Sequence, residues 1–382
     1  MIGPIAPFNS IGAHELDCLQ AALERPLSGY LAGQERGGYC VQELEAGFSA
    51  LYTVKHSIAV NSATSGLLAA AFAIGLGPGD DFICPALTMS ATAAAPMFTG
   101  AVPRFCDVDD RSFTLAMPLA RIMVGPRTKA IFVTNLFGNP ARLHALRNAA
   151  DELGIWLIED NAQAPLAMET PSKYVRPRFA GTIGHIGVFS FNVHKPLQCG
   201  EGGMIVTDCD DLAGKMRAFI NHGEHIGERI GLNLRMPELC AAVALAQVRG
   251  GDTIIDQRIE QALAILNAIG VIPGLWRPID LERPGRPIFY TIPFVLDDWP
   301  LAGAKRNFFC DGLKALGVPI VEGYVDPLYR LPAFKAFARP CPVAEDLHDR
   351  RLFYIENCRY TFAPDQIRLI GEAFKRTAEK VL

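Results

Sequence analysis

The sequence has no C-x-x-C pair; its ten cysteines are scattered singly from Cys18 to Cys358. A structural zinc site needs paired ligand spacing, and a disulfide framework belongs to short, cysteine-dense secreted chains. Neither pattern is present, so free thiols in a reducing cytosol and no metal site are expected. A long apolar run is also missing. The most apolar stretch, Leu67 to Leu76, is far shorter than the ~20 residues needed to span a bilayer. The opening MIGPIAPFNSIGAHELD lacks a basic region followed by an apolar one, so no secretory signal is expected. An excess of either charge is missing: the formal net charge is −4, which leaves no polyanion-binding footprint and argues against a nucleic-acid partner. There are no internal repeats and no low-complexity segments. These absences together lead us to expect a soluble cytoplasmic protein.

The chain has 382 residues, half of them hydrophobic and a fifth charged. That supports one large and one small domain rather than a single small one. From about Ser57 to Asp208, short apolar runs alternate with alanine-rich helical segments. Strands are expected at Ser57–Val60, Asp81–Cys84, Val102–Phe105, Ala130–Thr134, Ile155–Ile158, Gly187–Phe189 and Gly203–Thr207. Helices are expected at Thr64–Leu76, Ser90–Phe98 and Ala141–Leu153. Such alternation argues an α/β fold with a mostly parallel central sheet covered by helices on both faces. Met236 to about Ala268 reads as one long helical region interrupted near Gly250-Gly251. Proline then clusters at Pro273, Pro278, Pro284 and Pro287, followed by a strand over Pro287–Leu296 and helices near Ala302–Leu316 and Asp365–Lys380. The expected division is an N-terminal arm and large α/β domain over 1–273 and a smaller α+β domain over 274–382.

Four segments carry residues suited to chemistry, and each has an ordinary alternative. Val60-Asn-Ser62-Ala63-Thr64-Ser65-Gly66 joins a strand to a helix. Free N–H groups and the positive end of the helix dipole make an anion site there; a simple N-cap by Ser62 or Thr64 needs no ligand. In Glu159-Asp160-Asn-Ala-Gln163-Ala164, Asp160 falls at the carboxyl end of a strand, where open α/β sheets bind ligands. A carboxylate there can keep a pyridinium nitrogen protonated, and Gln163 can donate to a ring's phenolic oxygen. The alternative is an aspartate N-capping the next helix.

The third segment is Phe189-Ser190-Phe-Asn-Val-His194-Lys195-Pro-Leu-Gln-Cys-Gly200-Glu-Gly202-Gly203. A lysine in a loop between two strands, followed by crowded glycines, suits a Schiff-base lysine whose amine is partly neutral. Gly200, Gly202 and Gly203 would let the backbone pass close to a cofactor. A tight hairpin turn with an exposed lysine is the other reading, and His194 reads as an orienting or packing residue. In the fourth segment, Gly231-Leu-Asn233-Leu-Arg235-Met236-Pro237, Pro237 suits the first turn of a helix and Asn233 a loop.

In order and spacing the four segments resemble the DegT/DnrJ/EryC1/StrS family of fold-type-I pyridoxal-phosphate (PLP) aminotransferases, which act mainly on keto-sugars. The resemblance runs from Ser28-Gly-Tyr30-Leu31 to Asp326-Pro-Leu-Tyr-Arg330 and is specific at EDNAQA, FSFNVHKPLQCGEGG and GLNLRM. It implies the fold-type-I architecture, with PLP held as an internal aldimine on Lys195 and its pyridine nitrogen paired with Asp160. It further implies that Gln163 contacts the ring hydroxyl and that Ala63, Thr64 and Ser190 bind the phosphate. Asn233 is implied to reach the phosphate of a neighbouring subunit, which makes the active unit a homodimer.

Two departures stand out. After Pro85-Ala-Leu-Thr88 the family usually places an aromatic residue that stacks on the PLP ring; here it is Met89, whose thioether packs on an aromatic face less rigidly. Leucines flank Asn233 where the family often has tyrosine.

The resemblance implies a ping-pong reaction. Glutamate or glutamine gives its amino group to the cofactor, with Lys195 moving a proton between the donor Cα and C4′, and a keto-sugar, usually nucleotide-linked, receives it. Pro7-Phe8-Asn9-Ser10, Tyr30 and Glu322-Gly-Tyr-Val325 are candidates for the acceptor wall. Alternatives are a keto-cyclitol acceptor, a PLP lyase or dehydratase, a desulfurase-like enzyme, and a non-catalytic sensor on the same scaffold. The lyase relatives typically lack the lysine; EDNAQA and GLNLRM favour the sugar group over the desulfurases.

Overall fold

Alternate residues of the central strands feed two separate cores. Ile58 and Val60, Phe82 and Cys84, Phe132, Ile158, Val188 and Ile205 pack on one face. Ala59, Ile83, Ile131 and Val133, Leu157, Phe189, Met204 and Val206 pack on the other. A sheet that is apolar on both sides must be covered on both sides. The computed structural model describes residues 1–27, 36–170, 172, 174–223, 230–277, 279, 285–297 and 302–381. The segment Ser28–Leu31 with Tyr30, and Pro278 and Pro284, lie outside the described residues.

The central sheet has seven strands: β1 (His56–Val60), β2 (Asp81–Pro85), β3 (Val102–Cys106), β4 (Thr128–Thr134), β5 (Trp156–Asp160), β6 (Ile186–Ser190) and β7 (Gly203–Thr207). Their order is β1-β7-β6-β5-β4-β2-β3. All neighbours are parallel except β7, which runs antiparallel to both β1 and β6. The expected mostly parallel sheet is therefore present. Helices α1 (Ala13–Leu23), α2 (Tyr39–Tyr52), α3 (Ala63–Ala73), α4 (Ala91–Met97), α5 (Met117–Met123), α6 (Leu143–Leu153), α7 (Asp210–Ile220) and α8 (Glu238–Arg249) surround it. Leu67 and Ala70 of α3, Ala93 of α4 and Met216 of α7 cover one face. Leu44 and Phe48 of α2, Leu146 of α6 and Leu245 of α8 cover the other.

Strands apolar on both faces do not fix their own register by hydrophobic pattern, so polar anchors must do it. Glu159 in β5 is fully buried and accepts N–H bonds from Gly181 (2.6 Å), Ile183 (2.8 Å) and Gly184 (2.5 Å). A slip of one residue would strand that carboxylate among apolar side chains. Its neighbour Asp160 is thereby held on the opposite face, at the carboxyl end of β5.

The helical region after Met236 breaks where glycine was expected to break it, into α8 and α9 (Gly251–Ile269). Beyond it, β8 (Leu275–Trp276), β9 (Ile292–Leu296), β10 (Ile320–Glu322) and β11 (Leu352–Ile355) form a four-stranded antiparallel sheet in the order β8-β9-β11-β10. Helices α10 (Ala302–Ala315), α11 (Pro342–Asp346) and α12 (Pro364–Val381) accompany it. A third core, with Ile265, Phe294, Phe309, Phe353 and Phe374, joins α9, this sheet, α10 and α12. The strand expected over Pro287–Leu296 is shorter than its apolar run, because the chain turns at Phe289, where φ is +52°. Near the start of the chain, Ala6–Pro7 pairs with Tyr360–Thr361, and the Ile2 N–H bonds the Leu316 carbonyl at 2.9 Å.

All ten cysteines carry free thiols. Among the described residues no helix is long and apolar enough to cross a membrane.

Candidate active site

Register brings the first and third sequence segments together. Gly203, the first residue of β7, pairs with Val60 on one side and Ser190 on the other. The end of β1, the end of β6 and the start of β7 therefore meet at one corner of the sheet. The chain leaves β1 through Asn61 and enters α3 at a Ser62 N-cap, whose Oγ accepts the Ser65 N–H at 3.1 Å. The ordinary reading of this segment, a serine cap, is thus correct. It leaves the leading N–H groups of Ala63 and Thr64 at a helix end, where intrahelical acceptors are lacking and the dipole favours an anion. A Cβ on Gly203 would lie 2.6 Å from the Ala63 nitrogen, so only glycine lets β7 pass this close. Ser190 is buried, and its Oγ accepts the Asn192 N–H at 3.2 Å.

Lys195 lies in the loop of the β6–β7 hairpin, as one reading of the sequence had it, but it is not an exposed turn lysine. Phe191 N–H to Gly202 O (2.9 Å) and Val193 N–H to Gly200 O (2.8 Å) extend the ladder past the strand ends. Asn192 Nδ2 to Glu201 Oε1 (2.9 Å) ties the two arms. The Lys195 N–H then bonds the Asn192 carbonyl at 2.8 Å, which turns the half-buried side chain inward. Burial pulls the Lys195 amine below the ordinary lysine range, while the charge of Asp160 opposes that shift. His194 is exposed, so it does not take packing, one of the two roles expected for it.

Asp160 is almost fully buried. It caps no helix; its Oδ1 accepts the Ala162 N–H at 3.2 Å in a local turn. Its Oδ2 accepts the Thr92 hydroxyl at 2.6 Å. Thr92 shares a buried hydroxyl cluster with Thr88 (3.0 Å) and Thr134, and Thr88 Oγ1 lies 2.9 Å from Thr134 Oγ1. Burial raises the Asp160 carboxyl, with Thr92, Ala162 and Lys195 acting in the other direction. Each of the two charges is within electrostatic reach of the other, and both are withdrawn from water.

Gln163 is also buried. Its Oε1 accepts the Phe137 N–H at 2.8 Å and its Nε2 donates to the Tyr324 hydroxyl at 2.8 Å. Tyr324, from the segment expected to form part of the acceptor wall, thereby reaches the sheet edge. Met89 follows the buried Thr88 and is 51% exposed, free to lie against a planar group. Asn233 is exposed in a strip bridged to Asn221, and its neighbours Leu234 and Arg235 run beside Asn61 and Val60. That strip borders the α3 corner from outside.

Three residues were not singled out from sequence. Thr92 is the second residue of α4, while Thr88 precedes that helix; their hydroxyls meet through the fold, and sequence spacing gave no signal for it. Thr134 follows from its pairing with Asp160 across β4 and β5. Tyr290, whose ring lies beneath the Lys195 amine, gave no sequence signal.

Comparison with known proteins places this arrangement. Residues 27–373 match the sequence pattern of the DegT/DnrJ/EryC1/StrS aminotransferase family. The spore coat polysaccharide biosynthesis protein SpsC of Bacillus subtilis is 32% identical over 340 residues, covering 84% of this chain and 84% of its own. GDP-perosamine synthase of Caulobacter vibrioides is 37% identical over 315 residues, 79% of this chain and 80% of its own. The dTDP-3-amino-3,4,6-trideoxy-alpha-D-glucose transaminase of Streptomyces venezuelae is 31% identical over 373 residues, 94% and 92% of the two chains. Among solved structures, DesV of S. venezuelae, in complex with a ketimine intermediate, superposes with a TM-score of 0.86 at 28% identity over the full length of both chains. The chain therefore belongs to the DegT/DnrJ/EryC1/StrS aminotransferase family, whose members are pyridoxal-phosphate-dependent aminotransferases.

Proposed function

We propose that this chain is a cytoplasmic enzyme that transfers an amino group from glutamate or glutamine to a nucleotide-linked keto-sugar by a ping-pong reaction, using pyridoxal phosphate bound at the corner where β1, β5 and β6 end and β7 begins. The observation that carries the proposal is the opposition of a half-buried lysine and a buried carboxylate beside a glycine-cleared helix N-terminus. The residues present fit the cofactor on chemical grounds. The α3 terminus offers donors for a phosphate, Asp160 offers a buried anion for a pyridinium, and Lys195 offers an amine whose proton is weakly held.

When bound there, pyridoxal phosphate supplies an electron-withdrawing ring that stabilises the charge left on a carbon after proton removal. Ala63, Thr64 and Ser190 hold its phosphate. Asp160 keeps the ring nitrogen protonated, and Thr92 fixes which way that carboxylate faces. Gln163 donates toward the ring hydroxyl while remaining anchored by Phe137. Met89 packs on the ring face. Lys195 would hold the cofactor and move a proton at the donor Cα, a role that its amine, drawn below the ordinary lysine range by burial, suits. Asn233 reaches the phosphate across a homodimer interface. We divide the chain into a cofactor-binding domain over 1–273 and a smaller domain over 274–382, the latter bringing Tyr324 to the acceptor side.

The nucleotide-linked acceptor is supported by the names of two relatives, a GDP-perosamine synthase and a dTDP-amino-sugar transaminase. The test is incubation with 15N-labelled glutamate or glutamine and a panel of GDP-, UDP- and dTDP-linked keto-sugars, read by mass spectrometry. The label should appear in an amino-sugar product, with parallel double-reciprocal plots. Loss of water from the sugar without nitrogen gain, or no turnover with any keto-sugar, would overturn the proposal.

A further inference from the structure

The Lys195 amine lies over the face of the Tyr290 ring, 4.8 Å from its centroid. Tyr290 comes from the chain turn just before β9, and that turn is held in an uncommon conformation. Phe289 adopts a left-handed backbone with φ +52°, a conformation that a bulky residue keeps only when its surroundings over-determine it. Here they do. The Phe289 carbonyl accepts the buried Asn357 Nδ2 at 2.7 Å, and the Cys358 N–H bonds the Tyr290 carbonyl at 3.2 Å. The Ile288 N–H bonds the Gly138 carbonyl at 2.9 Å on the other side. The turn sends two consecutive aromatic side chains into different cores: Phe289 into the core of the antiparallel sheet and Tyr290 against a face of the central one. The turn so held presents the Tyr290 ring to Lys195.

We propose that Tyr290 is a positioning residue for Lys195, its ring face holding the free ammonium by cation–π attraction on the side away from bulk water. The proposal rests on the reading of Lys195 given above and adds what receives that side chain whenever its amine is free. A cation over an aromatic face within about 6 Å is attracted by the ring quadrupole, more strongly when desolvated. The ring therefore favours the protonated amine, in the same direction as the Asp160 charge and against the burial that pulls the lysine down. The other titratable group acting on Lys195 is the Cys358 thiol, which burial pushes up to about 12, so it stays neutral. Tyr324, Tyr354, Cys358 and Glu356 act on Tyr290 itself, and burial raises its hydroxyl, so the ring is a neutral phenol throughout. Its attraction for the lysine is thus constant with pH, and only the lysine titrates.

The test is competitive acetylation of the full-length, cofactor-free chain with acetic anhydride across pH, read by mass spectrometry of the Lys195 peptide. Tyr290→Phe keeps the ring face and should leave the labelling midpoint within a few tenths of a unit of the parent. Tyr290→Leu should lower it by about one unit, the scale of a desolvated cation–π contact. If the leucine variant does not fold, pentafluorophenylalanine at 290 preserves shape while reversing the quadrupole, and should lower the midpoint at least as far. A midpoint unchanged when the ring is fluorinated or removed, or one shifted as far by Tyr290→Phe, overturns the proposal. Failure of the underlying reading would look different: borohydride applied to the cofactor-loaded parent would then place its label away from Lys195, whatever the acetylation midpoints.

Discussion

The Thr92 hydroxyl donates to Asp160 Oδ2 at 2.6 Å, from a helix start to a strand end 68 residues away in sequence. This contact gives a nearly dry carboxylate one neutral donor and fixes its face. A hydrogen bond to a charged group contributes about 1.5–3 kcal/mol. Thr92→Val, which keeps the shape, should weaken pyridoxal phosphate retention by roughly ten- to a hundred-fold, measured by equilibrium dialysis. Thr92→Ser should recover most of it. Retention unchanged in the valine variant would remove Asp160 from the cofactor site.

Gly203 tests the cradle. A Cβ there falls 2.6 Å from the Ala63 nitrogen, so Gly203→Ala must push β7 and α3 apart. Overpacking of this kind costs about 1–3 kcal/mol, and the phosphate site should loosen with it. At Gly214 in α7 an added methyl group would meet nothing within 4 Å, so Gly214→Ala should be neutral or slightly stabilising. Thermal melts and cofactor retention of the two variants should therefore diverge in both readouts.

Met89 half-faces solvent beside the site, and a flexible thioether holds a ring less firmly than an aromatic face does. Met89→Tyr should slow cofactor loss several-fold in dialysis while leaving the thermal stability of the cofactor-free chain within about 0.5 kcal/mol, as for other surface changes. Faster loss would mean that Met89 does not lie against the ring.

The opposed shifts of Lys195 and Asp160 give stability a pH signature in the cofactor-free chain. Burial lowers Lys195, so the unfolded state holds that proton more tightly. The contribution of Lys195 to stability should rise with pH between the lowered native value and the ordinary ~10.4 of free lysine. Burial raises Asp160, so the native state holds its proton more tightly, and stability should fall as pH climbs from the ordinary ~3.9 toward the raised value. In urea melts across pH, parent stability minus that of Lys195→Met should climb through the alkaline window, and parent stability minus that of Asp160→Asn should fall through the acid one. Equal slopes in parent and variant would contradict the burial of that group.

Asn233 is exposed in a strip that borders the α3 corner. If it acts across a dimer, Asn233→Ala should weaken cofactor retention without changing the monomer fold, and the parent should sediment at twice the chain mass. A monomer retaining cofactor normally would rule out the shared site.

Much of this was legible in the sequence because the strands are apolar and separated by turn residues. Gly203–Thr207 was readable to the residue, and the break at Gly250-Gly251 was visible because glycine interrupts a helical pattern. Asp160, Ser190 and Lys195 were legible as a family pattern, since their order along the chain survives folding. Their meeting point was not, because it depends on β7 running antiparallel between β1 and β6, which local pattern does not encode. Thr92 and Tyr290 stayed hidden for a related reason. Each gains its role from a partner many residues away, and a buried threonine or tyrosine has many other uses. The turn at Phe289 shows the limit most clearly. Pro287 to Leu296 is apolar enough for one strand, and bonds with Asn357, Cys358 and Gly138, all distant in sequence, break it.

The central claim is that Lys195 carries the cofactor. Reduction of the protein loaded with pyridoxal phosphate by borohydride, followed by peptide mapping, tests it most directly. A single pyridoxyl modification on Lys195, lost in Lys195→Ala, is the expected result; a modification on another lysine, or none in a protein that holds pyridoxal phosphate, would contradict it.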